Sequence, residues 1–163
     1  MKDVKSKAFR SKAVKTAKAP EFSAQNVKAY CETWLDCTDD DLITNVTFRE
    51  INNTTECSQD GYGDYTNLQA NVAAGHTYPI SVTVGNGYFE RVSVWVDWNN
   101  NNSFDASEFL GEIGTGGIGV TLNGNISIPS GTANGLYRMR ILVYASGVDE
   151  PASENPCIEN GEF

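Results

Sequence analysis

Residues 97–108 read Asp97-Trp98-Asn99-Asn100-Asn101-Asn102-Ser103-Phe104-Asp105-Ala106-Ser107-Glu108, and their oxygen-bearing side chains are spaced to hold a cation. Asp97, Asn99, Asn101, Asp105 and Glu108 fall at the first, third, fifth, ninth and twelfth positions of a calcium loop, and Ser103 stands where a backbone carbonyl is the usual ligand. Calcium is a hard cation that takes about six to eight oxygens. Asp97, Asn99, Asn101 and a bidentate Glu108 would supply most of that shell, with the Ser103 carbonyl and a water held by Asp105 completing it. Asn102 stands where the pattern has glycine. The turn there needs a positive φ, and Asn is the non-glycine residue that tolerates it best. Three carboxylates and a substituted glycine predict modest affinity, about 10⁻⁴–10⁻³ M, for a structural Ca2+. A catalytic ion would need an open coordination position beside a base and a cleft, and the sequence marks neither.

The elements that must position this loop read as strands. Leu42 to Phe48 alternates, and a turn is expected at Asn52-Asn53-Thr54. Gly61-Tyr62-Gly63-Asp64-Tyr65 is turn-rich. Tyr78, Ile80, Val82 and Val84 recur with period two until Gly85-Asn86-Gly87 breaks the run. Val92, Val94 and Val96 repeat the alternation up to the loop. Phe109 to Ile113 predicts a short strand, 114–119 a flexible loop, and Val120 to Ile128 and Leu136 to Tyr144 two more strands. Short strands with Gly- and Asn-rich turns, and no long amphipathic helix after residue 30, predict an all-β antiparallel β-sandwich, jelly-roll or immunoglobulin-like. The loop then follows a strand, so only its ligand spacing is that of an EF-hand. Residues 1–22 are Lys/Ala-rich and close at Pro20, and read as a basic N-terminal tail or linker ahead of a domain at 29–163.

Composition bounds the partners. The formal net charge is −9, but residues 1–21 carry seven Lys/Arg against two acids, so the remainder is strongly acidic. An acidic body repels phosphate backbones, which argues against nucleic acid as a partner. No apolar run is long enough to insert in a membrane, and residues 1–21 lack the apolar core of a signal peptide. Cys31, Cys37, Cys57 and Cys157 form no C-x2-C pair, and the lone His76 is far from each of them, which weighs against zinc. An even, irregularly spaced set reads as two disulfides and an oxidising compartment, secreted or at the cell surface, with three pairings open.

Candidate contacts to a ligand are aromatic. Tyr62, Tyr65 and Trp98 lie in or beside loops together with Trp34, Tyr88 and Phe89, and Trp95 lies on the strand ahead of Asp97. Aromatic faces stack on the C–H surface of sugar rings, so an exposed pair would suit a polysaccharide or cell-surface glycan. By alternation Trp98 shares the face of Val92, Val94 and Val96, whereas Trp95 points the other way and is expected to be wetter. Asp60 and Asp64 read as Asx turns, with a second cation site the sharper alternative, and Glu159 and Glu162 as solvated acids. Arg138 and Arg140 flank Met139 on a strand, share a face, and are expected to pair with acids, with a sulfated or carboxylated ligand the sharper alternative. No nucleophile–base pattern is present, so no enzyme activity is expected.

With these elements placed, the chain resembles the GEVED domain family of secreted, often multidomain bacterial proteins. The resemblance rests on Tyr30-Cys31, Ile51-Asn52-Asn53-Thr54-Thr55, Tyr62-Gly63-Asp64-Tyr65-Thr66, Ala74-Gly75-His76-Thr77-Tyr78, Val94-Trp95-Val96-Asp97-Trp98-Asn99, Ile126-Ser127-Ile128-Pro129, Gly135-Leu136-Tyr137-Arg138-Met139-Arg140 and Pro156-Cys157. Gly161-Glu162-Phe163 begins the motif that names the family, and the resemblance implies a last strand continuing beyond Phe163. It implies a non-catalytic accessory β-sandwich, covalently linked to neighbouring domains such as peptidases or polysaccharide-degrading enzymes. It also implies Cys31 paired with Cys157 and Cys37 with Cys57. The local alternative is Cys31–Cys37 with Cys57–Cys157. Two functions stand on this reading: carbohydrate binding or adhesion, and a structural spacer or protein-interaction module beside a peptidase or hydrolase.

Overall fold

The computed structural model describes residues 30, 31, 33, 36–145 and 155–157. The basic tail at 1–22, Trp34, Glu159, Glu162 and the Gly161-Glu162-Phe163 motif lie outside the described residues. The described chain is all-β, with two antiparallel sheets and no α-helix. Its strands are β1 (Ile43–Phe48), β2 (Ile51–Thr54), β3 (Thr77–Val84), β4 (Glu90–Val96), β5 (Phe109–Gly116), β6 (Thr121–Ser127) and β7 (Met139–Ala145). One sheet runs β2-β1-β3-β6 and the other β5-β4-β7.

Alternation makes the core. Ile80, Val82 and Val84 of β3 and Phe48 of β1 meet Val92 and Val94 of β4 and Val143 of β7, with Leu122 and Ile126 of β6 beside them. These side chains are nearly all below a tenth exposed. Each buried aliphatic side chain contributes about 1.5–3 kcal/mol relative to exposure, which is what presses the two sheets together.

The strands depart from the sequence reading at several points. Asn52, Asn53 and Thr54 are not a turn; they belong to β2, which pairs with β1 from Phe48↔Ile51 to Asn45↔Thr54. The turn is Arg49-Glu50, with Arg49 at φ 54°, a position whose side chain gives no turn signal. The Asn45 amide donates to Asn52 Oδ1 and Thr54 Oγ1, so polar side chains zip this ladder from outside. Gly114, Thr115 and Gly116 are not loop but the end of β5, paired with Val92, Arg91 and Glu90. A Cβ on Gly116 would stand 2.4 Å from Val120 and 2.7 Å from Leu122, so glycine is what lets β5 lie this close to β6.

The outer face of the three-stranded sheet is also buried, which alternation alone did not reveal. Ser93, Trp95, Leu142 and Tyr144 on it are each below a tenth exposed. Trp95 is therefore not the wetter tryptophan: it is fully buried, 5.0 Å from the Phe109 ring and packed with Phe104 and Leu142, with Tyr30 alongside. The two disulfides are Cys31–Cys157 and Cys37–Cys57, with Cα separations of 5.6 and 5.5 Å. The first closes a loop of 126 residues. In the chain-entropy view such a closure stabilises by about 4–5 kcal/mol.

At the start of β4 the carboxylates of Glu90 and Asp41 are buried together, Glu90 at 0% and Asp41 at 5% exposure. Burial, and then the Asp41 carboxylate, push Glu90 up to about 8 from its ordinary 4.5. The neutral acid is thus the form that the fold favours. In chelator, its contribution to stability is complete below about pH 4.5 and is lost as pH rises through about 8. Calorimetric melting temperatures in chelator should fall over that window, and Glu90→Gln should flatten the fall. Equal slopes for the two proteins would show that Glu90 is not the group responsible.

Candidate metal loop and aromatic cleft

β4 ends at Val96, and Asp97 follows it into the interior with no exposed surface. Its backbone N–H donates to the carbonyl of Arg138 at 2.9 Å, which fixes where the carboxylate points. The loop then turns twice through left-handed backbone, at Asn100 (φ 55°) and at Asn102 (φ 62°). The second is the turn that Asn102 was expected to make; the first was not anticipated, and the same Asn tolerance allows it.

The acidic oxygens gather backbone donors. Asp97 Oδ1 accepts from Asn101 N at 3.2 Å, and Oδ2 from Asn102 N at 3.0 Å and from the Tyr30 hydroxyl. Asn99 Oδ1 accepts from Asn101 N at 2.9 Å, and Asn101 Oδ1 from Ser103 N at 2.8 Å. Glu108 sits on a short 3-10 turn (Ala106–Glu108), and its two oxygens accept from Asn99 N at 3.2 Å and Asp105 N at 2.9 Å. Asp105 Oδ2 accepts from the side-chain amides of Asn99 at 3.1 Å and Asn101 at 2.9 Å. The loop thus folds around Asp97 and Glu108, with Asn99, Asn101 and Asp105 tied to one another and Ser103 held by Asn101.

Charge decides what this arrangement suits. Asp97 and Glu108 are 0% and 3% exposed, and no Lys or Arg among the described residues forms an ion pair with either. Buried carboxylates need a counter-charge, and an oxygen-rich loop suits a hard one. Among the described residues no group of three or more His, Cys, Asp or Glu side chains stands in metal-holding geometry. The Asn99 and Asn101 amides turn their N–H groups toward Asp105. A cation in the loop requires those two amides to rotate so that their oxygens face it.

The loop is tied to the disulfide. Tyr30 precedes Cys31, stacks on Phe104 at 5.0 Å, and bonds Asp97. Burial, and then that bond to Asp97, raise the Tyr30 hydroxyl far above its ordinary value, so it stays a donor at any physiological pH. Arg140 donates to the carbonyls of Cys31 and Pro156, bracing both sides of the Cys31–Cys157 bridge, and its guanidinium lies 4.9 Å over Phe104 and 5.8 Å over Tyr62. Arg138 lies 5.0 Å over Tyr30. Among the described residues neither arginine forms a direct ion pair: carbonyls and rings hold Arg140, and Arg138 lies over Tyr30 and acts at longer range on the Asp64 carboxylate. Sequence reasoning missed this role, because the carbonyls that Arg140 binds lie 109 and 16 residues away.

A cleft of about 560 Å³ opens beside the loop, along the side of the sandwich where β1 and β7 face each other. Tyr62, Tyr65, Trp98 and Tyr137 line it, together with Asn100 and Asn102 of the loop. Trp98 is half-buried and 5.5 Å from the Tyr137 ring, while Tyr65 is 41% exposed. The Tyr65 ring folds back over Gly63, where a Cβ would stand 2.4 Å from it. Three of the four expected aromatic contacts thus come together, and the fourth, Trp95, belongs to the core. Asp64 makes the expected Asx turn, accepting from Thr66 N at 2.9 Å.

Residues 91–163 match the GEVED domain, which supports the resemblance over that part of the chain. The match begins in β4 and takes in the 97–108 loop, β5, β6 and β7. No curated protein and no solved structure matches the chain. The two disulfides fit an oxidising, extracellular setting, and no helix among the described residues is long and apolar enough to cross a membrane.

Two outcomes follow from this geometry. Tyr30→Phe removes a hydrogen bond to a buried carboxylate and should cost about 1.5–3 kcal/mol in urea unfolding. An unchanged midpoint would show that the bond contributes nothing. Arg140→Lys cannot span two carbonyls and should lower stability by about 1–3 kcal/mol in the same assay.

Proposed function

We propose that this chain is a non-catalytic, calcium-stabilised accessory module of a secreted or cell-surface protein, and that it binds carbohydrate in the cleft beside the 97–108 loop. The observation that carries the reading is the shared wall: Trp98, Asn100 and Asn102 belong to the loop and line the cleft. A cation that orders the loop would also fix that wall. Tyr62, Tyr65, Trp98 and Tyr137 offer ring faces for the C–H surface of a sugar, and the asparagine amides offer donors and acceptors for its hydroxyls. Its size falls in the ordinary range for ligand sites, about 300–1,000 Å³. Leu68 and Leu136, at 37% and 73% exposure, extend the apolar lining.

A second reading rests on a different surface. Tyr88, Phe89 and Ile118 are 57%, 62% and 61% exposed, on the turns at the opposite end of β4 from the loop. Three large apolar side chains on neighbouring turns suit contact with a covalently attached domain, the role of a spacer beside a peptidase or hydrolase.

The ion is tested by melting. Chelator should lower the melting temperature by several degrees, and Asp97→Ala should remove that response. A melt indifferent to chelator contradicts a structural calcium. The ligand is tested by affinity electrophoresis on a panel of polysaccharides. Retardation should occur on at least one gel, weaken at least tenfold in Trp98→Ala or Tyr65→Ala, and vanish in chelator, while Phe89→Ser leaves it unchanged. Migration unaffected by every polysaccharide would leave the spacer reading in its place.

A further inference from the structure

At the end of the sandwich remote from the 97–108 loop, two carboxyl groups are buried with only each other as partners among the described residues. Outside this pair, neither oxygen of Asp41 and neither of Glu90 has a hydrogen-bond partner among the described residues. Asp41 is 5% and Glu90 0% exposed. Asp41 lies just before β1, and Glu90 opens β4. No Lys or Arg among the described residues forms an ion pair with either; the nearest candidate along the chain, Arg91, instead pairs with Glu112 at 2.7 Å. Buried like charges this close cannot both ionise without a counter-charge.

The backbone packs closely around them. The 39–40 turn, with Asp40 at φ 66°, folds onto the turn between β3 and β4, where Gly87 N donates to Asp40 O at 3.3 Å and Gly85 N to Leu42 O at 2.8 Å. A Cβ on Gly87 would stand 2.2 Å from Asp41 Oδ1 and 2.4 Å from the Asp39 carbonyl oxygen. The two oxygens therefore lie side by side against Gly87, an approach that only glycine permits. One carboxylate oxygen and one carbonyl oxygen converge there, and the Glu90 carboxylate lies against Asp41.

We propose that the Asp41 and Glu90 carboxylates and the Asp39 carbonyl form a second divalent cation site, of the hard, oxygen-only kind that takes calcium. The ion supplies the counter-charge in place of the proton that the pair otherwise holds, and it ligates oxygens that no other donor reaches among the described residues. Water completes the shell, as it commonly does where the protein offers fewer than about six oxygens. The site fastens the 39–41 segment, two residues after Cys37, onto the β3–β4 turn. It is independent of the loop at 97–108, which contributes no residue to it.

Equilibrium dialysis of the full chain against calcium alone, at about 1 mM, counts the ions. The wild-type chain should bind two per chain. Glu90→Gln and Asp41→Asn should each bind one, and Asp97→Ala should also bind one, so that Glu90→Gln combined with Asp97→Ala binds none. Glu90→Gln removes a buried charge at constant shape, and a melting temperature in chelator no lower than wild type shows that it is folded. One ion per wild-type chain, with the same count in Glu90→Gln, overturns the second site while leaving the loop standing. Two ions per chain that persist in Glu90→Gln and in Asp41→Asn also overturn it, because the second ion would then sit elsewhere.

Discussion

Buried negative charge governs this structure. Asp97 and Glu108 end up inside the protein with hydrogen-bond donors around them and, among the described residues, no ion pair to either. An isolated carboxylate in an apolar interior costs several kcal/mol even after relaxation. The backbone N–H groups of 99, 101, 102 and 105 and the Tyr30 hydroxyl offset part of that cost. They also dictate the path of the loop, since each must point inward. From there the constraint spreads: Tyr30 is anchored by Asp97, Cys31 follows it, the disulfide reaches Cys157, and Arg140 of β7 grips the carbonyls on either side of the bridge. The loop, the covering of the outer sheet face and the closure of the chain are parts of one connected arrangement.

Much of this was legible in the sequence because it is local. Period-two alternation located β1, β3 and β4 and the valines of the core, since a strand with one buried face has no other way to arrange its side chains. The ligand spacing located the loop, and the positive φ at Asn102 followed from the position of glycine in that pattern. The disulfide pairing came from the resemblance alone; spacing left three choices. What stayed hidden is non-local. Alternation put Trp95 on the outer face correctly but could not show that Tyr30, Phe104 and Phe109 cover it. The Arg49-Glu50 turn carries no Gly, Asn or Pro, so the asparagines beside it drew the turn three residues too late. Asp41 and Glu90 meet across 49 positions of sequence, each unremarkable in so acidic a chain.

The arrangement divides the two ends of β4. One end runs into the 97–108 loop and the aromatic cleft; the other begins at Glu90, beside Asp41 and the exposed Tyr88 and Phe89. A rigid strand of seven residues separates them by about 20 Å, given roughly 3.3 Å per residue. On the reading offered above, a ligand end and a docking end can therefore act without interfering, which suits a module carried beside other domains. The aromatic rings at the cleft are held by neighbours rather than free to swing: Trp98 by Tyr137, Tyr62 by Arg140, and Tyr65 by its fold over Gly63. Rings already positioned lose little freedom on meeting a sugar, and this limits the entropic cost of binding.

The central claim is that the carboxylates of Asp97 and Glu108 enclose a cation. Crystals grown in calcium, with data collected where calcium scatters anomalously, test it without any inference from stability. The account predicts an anomalous peak inside the loop, with oxygens of Asp97, Asn99, Asn101 and Glu108 at about 2.3–2.6 Å and the Asn99 and Asn101 amides turned to face it. A fully ordered loop in saturating calcium, with no anomalous density between Asp97 and Glu108, would contradict it.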